Sequence, residues 1–129
     1  MDSPVENSRR RYRFAECVAI ALALAASACA TTNHAETPAT IRVFKYTGSV
    51  QCTGGGIDLP TMTRQLTDAG LEVRSSVCGT DGLMRAAICG TSDGRIGIFE
   101  LYTHDAQAAS KLGFMPLSEL PEARVVPCK

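Results

Sequence analysis

Arg95-Ile-Gly-Ile-Phe-Glu-Leu-Tyr102 places five apolar or aromatic side chains in eight positions, without strict alternation between them. A run of this length and composition reads as a strand buried on much of both faces, and a strand of that kind belongs at the centre of a sheet. The neighbouring segments are read as elements that pack around it.

Upstream, Ile41-Arg-Val-Phe-Lys-Tyr46 is rich in β-branched and aromatic residues and ends near Gly48, which predicts a first strand. Gly54-Gly55-Gly56 follows as a loop. Asp58 is a good helix N-cap, and Leu59, Met62, Leu66 and Ala69 then recur on one helical face. Gly70 supplies the left-handed residue that closes the helix, with Leu71 folding back as its apolar contact. From Leu71 to Cys78 apolar and polar residues alternate, the pattern of a half-buried strand.

Downstream of the central strand, Thr103 is placed to cap a helix from His104 to Leu112, with Asp105 favourable in its first turn. Gly113 and Phe114 repeat the ending seen at Gly70 and Leu71. Pro116 and Pro121 punctuate a loop, and residues 123–127 read as a short last strand. The order strand, helix, strand, strand, helix, strand predicts an α+β fold. Its expected form is a ferredoxin-like βαββαβ sandwich: a four-stranded antiparallel sheet with two helices on one face.

The N-terminal third has a different grammar. Arg9, Arg10, Arg11 and Arg13 precede the run Val-Ala-Ile-Ala-Leu-Ala-Leu-Ala-Ala-Ser-Ala-Cys, residues 18–29. A basic cluster, a short apolar run and a small-residue end form a secretory signal, and the run falls short of the roughly 20 residues needed to span a bilayer. Residues 1–28 are therefore expected to be a signal peptide. Ala26-Ser27-Ala28-Cys29 resembles the lipobox of bacterial lipoproteins, with Ala26 where that family prefers Leu. Lipidation at Cys29 leaves four cysteines to pair, and so does an ordinary signal-peptidase cut after Ala30. The lipobox is the preferred reading. Residues 29–40 then form the lipidated cysteine and a polar tether holding His34, and residues 41–129 the domain. Ser8-Arg9-Arg10-Arg11-Tyr12 also looks like a twin-arginine signal, but Arg13 stands where Leu is favoured.

Export sets the chemistry of Cys52, Cys78, Cys89 and Cys128, because disulfides persist outside the cytoplasm. Cys78 and Cys89 are close in sequence and are the cheapest pair to close, leaving Cys52 with Cys128. That pairing conflicts with the sheet order just named, in which Cys128 would lie at the opposite edge from the other three. The pairing is the firmer expectation of the two, and the strand order the looser.

Removing residues 1–28 leaves nine basic and ten acidic side chains, so there is no basic footprint for nucleic acid. Cys78-Gly-Thr-Asp-Gly82 is echoed by Cys89-Gly-Thr-Ser-Asp-Gly94. Asp81 and Asp93 in these loops read as turn residues in preference to ligands of a hard cation. No metal or other cofactor is expected. No Cys-x-x-Cys motif occurs, Ser49, Ser75, Ser76 and Ser110 lack a Gly-x-Ser-x-Gly elbow, and Gly54 to Gly56 lacks the order of a phosphate cradle. His104 reads as a surface residue at a helix start, so no catalytic residue is named.

Residues 41–129 resemble a group of small exported bacterial proteins of unknown function. The likeness lies in Cys78-Gly-x-Asp-Gly-Leu-Met84, Cys89-Gly, Gly94-Arg-Ile-x-x-Phe-Glu100, Leu112-Gly-Phe114 and Val126-Pro-Cys128. It implies an exported, disulfide-bonded domain and no particular activity. The expectation is a periplasmic, membrane-tethered binding or structural module whose partner is another envelope component, the alternative being a small envelope enzyme or enzyme inhibitor. By analogy with other sheets of this kind, Arg42, Tyr46, Arg95 and Tyr102 are candidates for a contact surface on the helix-free face.

Overall fold

The computed structural model describes residues 36–128. The signal segment, Cys29 and His34 lie outside them. Three long strands form the frame: β1 (Thr40–Tyr46), β2 (Ser75–Thr80) and β3 (Arg95–Tyr102). β3 lies between the other two and is antiparallel to both, with Val43 opposite Phe99 and Cys78 opposite Gly97. The central placement read from its composition is the one observed. The compact unit begins at Thr37, and the Thr103 N–H bonds the Ala39 carbonyl at 2.9 Å.

Helix α1 (Leu59–Asp68) connects β1 to β2. Asp58 caps it by accepting from the Thr61 N–H at 2.9 Å. Gly70, at φ +82°, ends it, and the Leu71 N–H returns to the Leu66 carbonyl at 3.1 Å while the Leu71 side chain is buried. Helix α2 (Ala106–Lys111) is shorter than predicted, because Thr103–Asp105 forms a 3-10 turn and Thr103 makes no cap hydrogen bond. Its end repeats that of α1: Gly113 sits at φ +83° and the Phe114 N–H reaches the Ala109 carbonyl. In both helices a glycine takes the left-handed conformation that other residues resist, and an apolar residue is turned back onto the core.

Two cores result from the alternation of side chains across the sheet. On the helical side Val43, Met62, Leu66, Leu71, Phe99, Leu101, Ala109 and Phe114 pack together. On the other side Phe44, Ile96 and Ile98 are buried under Leu117, Leu120 and Ala123. The face expected to be free of cover is therefore roofed by the segment after α2. That segment departs from β4 (Met115–Pro116), which pairs with β1, and arrives at β5 (Arg124–Val125), which pairs with β2.

The sheet thus has five strands in the order β4-β1-β3-β2-β5, all antiparallel neighbours, with two helices. The expected four-stranded sheet is corrected: residues 123–127 do not supply the strand beside β1. Phe114 inserts into the helical-side core and delivers Met115 next to Phe44, and Pro116, which lacks an N–H, is tolerated at an edge. The chain then crosses the sheet because Leu117, Leu120 and Ala123 gain by covering Phe44, Ile96 and Ile98.

The crossing overturns the disulfide pairing as well. Cys78 bonds Cys128, and Cys52 bonds Cys89, each with α-carbons 5.2 Å apart. With β5 beside β2, the tail runs along the strand that carries Cys78, and the Val126 N–H bonds the Cys78 carbonyl at 3.0 Å. Cys89 lies on the β2–β3 loop, which folds against Gln51. Its nearness to Cys78 in sequence therefore did not become nearness in space. Closing loops with separations of 37 and 50 residues is worth about 4 kcal/mol each in the chain-entropy model.

Candidate functional site

Two loops meet at the end of the sheet where β1 finishes and β3 begins. Residues 47–57 lead from β1 into α1, and residues 81–94 join β2 to β3. They are laced by backbone hydrogen bonds: Gln51 N–H to the Thr91 carbonyl at 2.8 Å, Gly90 N–H to the Gln51 carbonyl at 3.1 Å, and Asp93 N–H to the Ser49 carbonyl at 3.2 Å. Cys52–Cys89 bonds the same two loops covalently.

Each of the two echoed aspartates organises one end of the longer loop. Asp81 is 1% exposed, and Oδ2 accepts from the Tyr46 hydroxyl at 3.1 Å and from the Arg85 guanidinium. Its Oδ1 accepts from the Leu83 N–H at 3.1 Å. The pair with Asp81 raises the Arg85 pKa, and burial followed by the hydrogen bond to Asp81 raises that of the Tyr46 phenol. Gly94 lies against this cluster at φ +75°. A β-carbon there would come within 2.6 Å of Asp81 Oδ1 and 2.8 Å of Arg85 Nε, so only glycine fits.

Asp93 Oδ1 accepts from the Ser49 hydroxyl at 2.6 Å and from the Arg95 N–H at 3.0 Å, and Oδ2 pairs with Arg95 Nε at 3.4 Å. Desolvation pushes this carboxyl up. The Ser49 hydroxyl, the Arg95 N–H and the Arg95 charge outweigh it and hold the carboxyl below its ordinary range. Both aspartates stabilise the β2–β3 connection through local turns and pairs, in keeping with the turn reading of the two Asp-Gly sequences. Among the described residues no three His, Cys, Asp or Glu side chains are grouped to hold a metal ion.

Beside these loops a groove of about 960 Å³ opens between the glycine-rich loop, the first turn of α1, the ends of β2 and β3, and the C-terminal tail. Ile57, Leu59, Pro60 and Val126 make its apolar wall, while Thr47, Asp93 and Arg95 supply polar groups. The Ser49 hydroxyl is buried and donates to Asp93, whose carboxyl is held below its ordinary range and is paired with Arg95. His104 lies beyond Tyr102, at the other end of the sheet, where it stacks on the Tyr102 ring at 5.5 Å. The groove is equipped to bind.

The four residues named for a contact surface separate. Arg42, Tyr46 and Tyr102 share the helix-free side by strand alternation, and Arg95 falls on the opposite side, in the groove. Tyr46 is half-buried and spends its hydroxyl on Asp81. Tyr102 accepts from Arg74 Nη1 at 2.8 Å, beneath the Arg74 guanidinium. Arg42 is exposed. Three residues carry weight that the sequence reading did not assign: Ser49, Arg85 and Gln51, whose Nε2 bonds the Ala86 carbonyl at 2.8 Å. None belongs to a motif. The available signal was the pair of charges at 81 and 85, one helical turn apart in a segment that is not a helix.

No protein-family model matches the chain, and no curated protein and no solved structure is similar to it at a significant level.

Proposed function

We propose that this chain is an exported envelope protein, lipidated at Cys29 and held in the periplasm close to a membrane, whose domain acts as a binding or structural module. One observation carries the reading: all four cysteines of the domain are joined in two disulfides that lock a surface groove and the C-terminal tail. Such bonds persist where the redox poise is oxidising, which agrees with the signal-like leader. Among the described residues no helix is long and apolar enough to cross a membrane, and on this reading the lipobox cysteine provides the attachment.

On this reading the partner is another envelope component, and the groove beside Arg95 replaces the helix-free face as its binding surface. The fold is a ferredoxin-like βαββαβ core with a fifth strand added at the β2 edge. The chain is then a member of the small exported family that its Cys-Gly-x-Asp-Gly-Leu-Met and Val-Pro-Cys segments resemble.

Growth of producing cells with labelled palmitate tests the anchor. The expected result is a labelled chain beginning at Cys29 in the membrane fraction, with label and membrane attachment both lost in Cys29→Ser. A full-length chain in the cytosol, with its sulfhydryls reduced, would overturn it.

A further inference from the structure

The β2–β3 loop carries an exposed apolar tip. Residues 82–90, Gly-Leu-Met-Arg-Ala-Ala-Ile-Cys-Gly, contain one charged side chain, and that side chain is turned back onto the buried Asp81. Leu83, Met84 and Ile88 are left on the outside, 54%, 101% and 56% exposed. The loop is not loosely hung. Its base is fixed by the Asp81–Arg85 pair, by the Gln51–Ala86 hydrogen bond and by Cys52–Cys89. Three aliphatic side chains are thus displayed on a braced loop whose one cation is paired with Asp81.

We infer that this loop is a lipid-dipping tip, and that Leu83, Met84 and Ile88 insert into the surface of a bilayer. Two considerations select lipid over protein. The three side chains offer on the order of a few hundred Å², well under the roughly 800 Å² per partner of a stable protein interface or dimer. A bilayer sets no such minimum, but it does penalise charge, and Arg85, the one charged side chain of residues 82–90, is paired with the buried Asp81. The bracing means that little ordering cost falls due on insertion.

The proposed anchor makes the contact reachable, and the inference rests on that reading only to this extent. The chain enters the domain at Thr40, the end of β1 away from the loop. The eleven steps from Cys29 to Thr40 span up to about 38 Å when extended. The seven residues of β1 span about 23 Å, so a chain held at Cys29 can bring either end of the sheet to the same membrane.

The chain contains no tryptophan, so Met84→Trp places a single reporter at the tip. The full chain carrying it is mixed with vesicles of phosphatidylethanolamine and phosphatidylglycerol, with or without bromine on the acyl chains. The expected result is a blue-shifted emission quenched at least twofold by the brominated lipid, while His104→Trp, at the opposite end of the sheet, keeps its emission. Leu83→Asp with Ile88→Asp in the reporter chain, its disulfides and circular dichroism unchanged, should return quenching to background. An unquenched tip reporter on vesicles that carry the chain in flotation would overturn the inference. So would equal quenching of the Met84→Trp and His104→Trp chains. Shielding of the tip reporter that follows protein concentration without lipid overturns it too, since it marks a second copy as the occupant. A Cys29→Ser chain from producing cells that stays in the membrane fraction, with the tip reporter still quenched, overturns the lipid anchor and leaves the tip standing.

Discussion

Asp81 is a buried carboxylate whose three donors come from different parts of the chain: the end of β1, the next residue but one, and Arg85 across the loop turn. Removing it strands a phenol, an amide and a guanidinium together. Asp81→Ala is therefore expected to lower unfolding stability by about 3 kcal/mol, measured as the shift in urea midpoint at constant slope. Tyr46 reports on the same cluster through pH. Burial and the Asp81 contact raise its pKa above 10.0, so the folded state holds the phenolic proton more tightly than the unfolded chain does. The stability this supplies is complete below the unfolded value and is lost as pH rises through the folded one. Thermal midpoints should fall above pH 10, and Tyr46→Phe should flatten that alkaline limb. An unchanged limb in the variant would place the titration elsewhere.

Elements were legible where local chemistry dictates them. α1 begins at a capping aspartate and ends at a glycine, and both helices close with an apolar residue folded back, so their ends follow from neighbours in sequence. β3 was legible because a strand covered on both faces must be apolar on both. The two-residue strands β4 and β5 were not. Each is defined by what lies beside it, and neither Met115-Pro116 nor Arg124-Val125 has enough residues to show a period. The pairing of Cys78 with Cys128 depends on β5 and was lost with it. Replacing both by serine should cost about 4 kcal/mol in the chain-entropy model and release the tail from β2. A non-reduced peptide digest provides the direct check, with Cys52 found on the fragment of Cys89.

At the scale of the molecule, acid is expected to weaken the loop pole. Asp93 binds its proton less readily in the folded state than in the unfolded one, because Ser49 and Arg95 favour the carboxylate against the cost of desolvation. Its contribution is present above the unfolded value of about 3.9 and is lost as pH falls through the lower folded one. Urea midpoints are expected to drop on going from pH 5 to pH 2.5, with the drop reduced in Asp93→Asn. The disulfide Cys52–Cys89 keeps the two loops joined through this titration, so reduction and acid together should loosen the pole more than either alone.

The one-dimensional order of residues was enough to determine the limits of α1, the glycine endings of both helices, the central strand, the turn role of the Asp-Gly pairs and the expectation of an exported chain, because each depends on chemistry within about one helical turn or one strand of itself. Only the tertiary structure decided which edge the last strand joins, which cysteines meet and which way Arg85 points. These outcomes are set by competition among distant surfaces: Phe44, Ile96 and Ile98 needed a cover, the segment 117–123 was long and apolar enough to provide it, and the crossing carried Cys128 to Cys78.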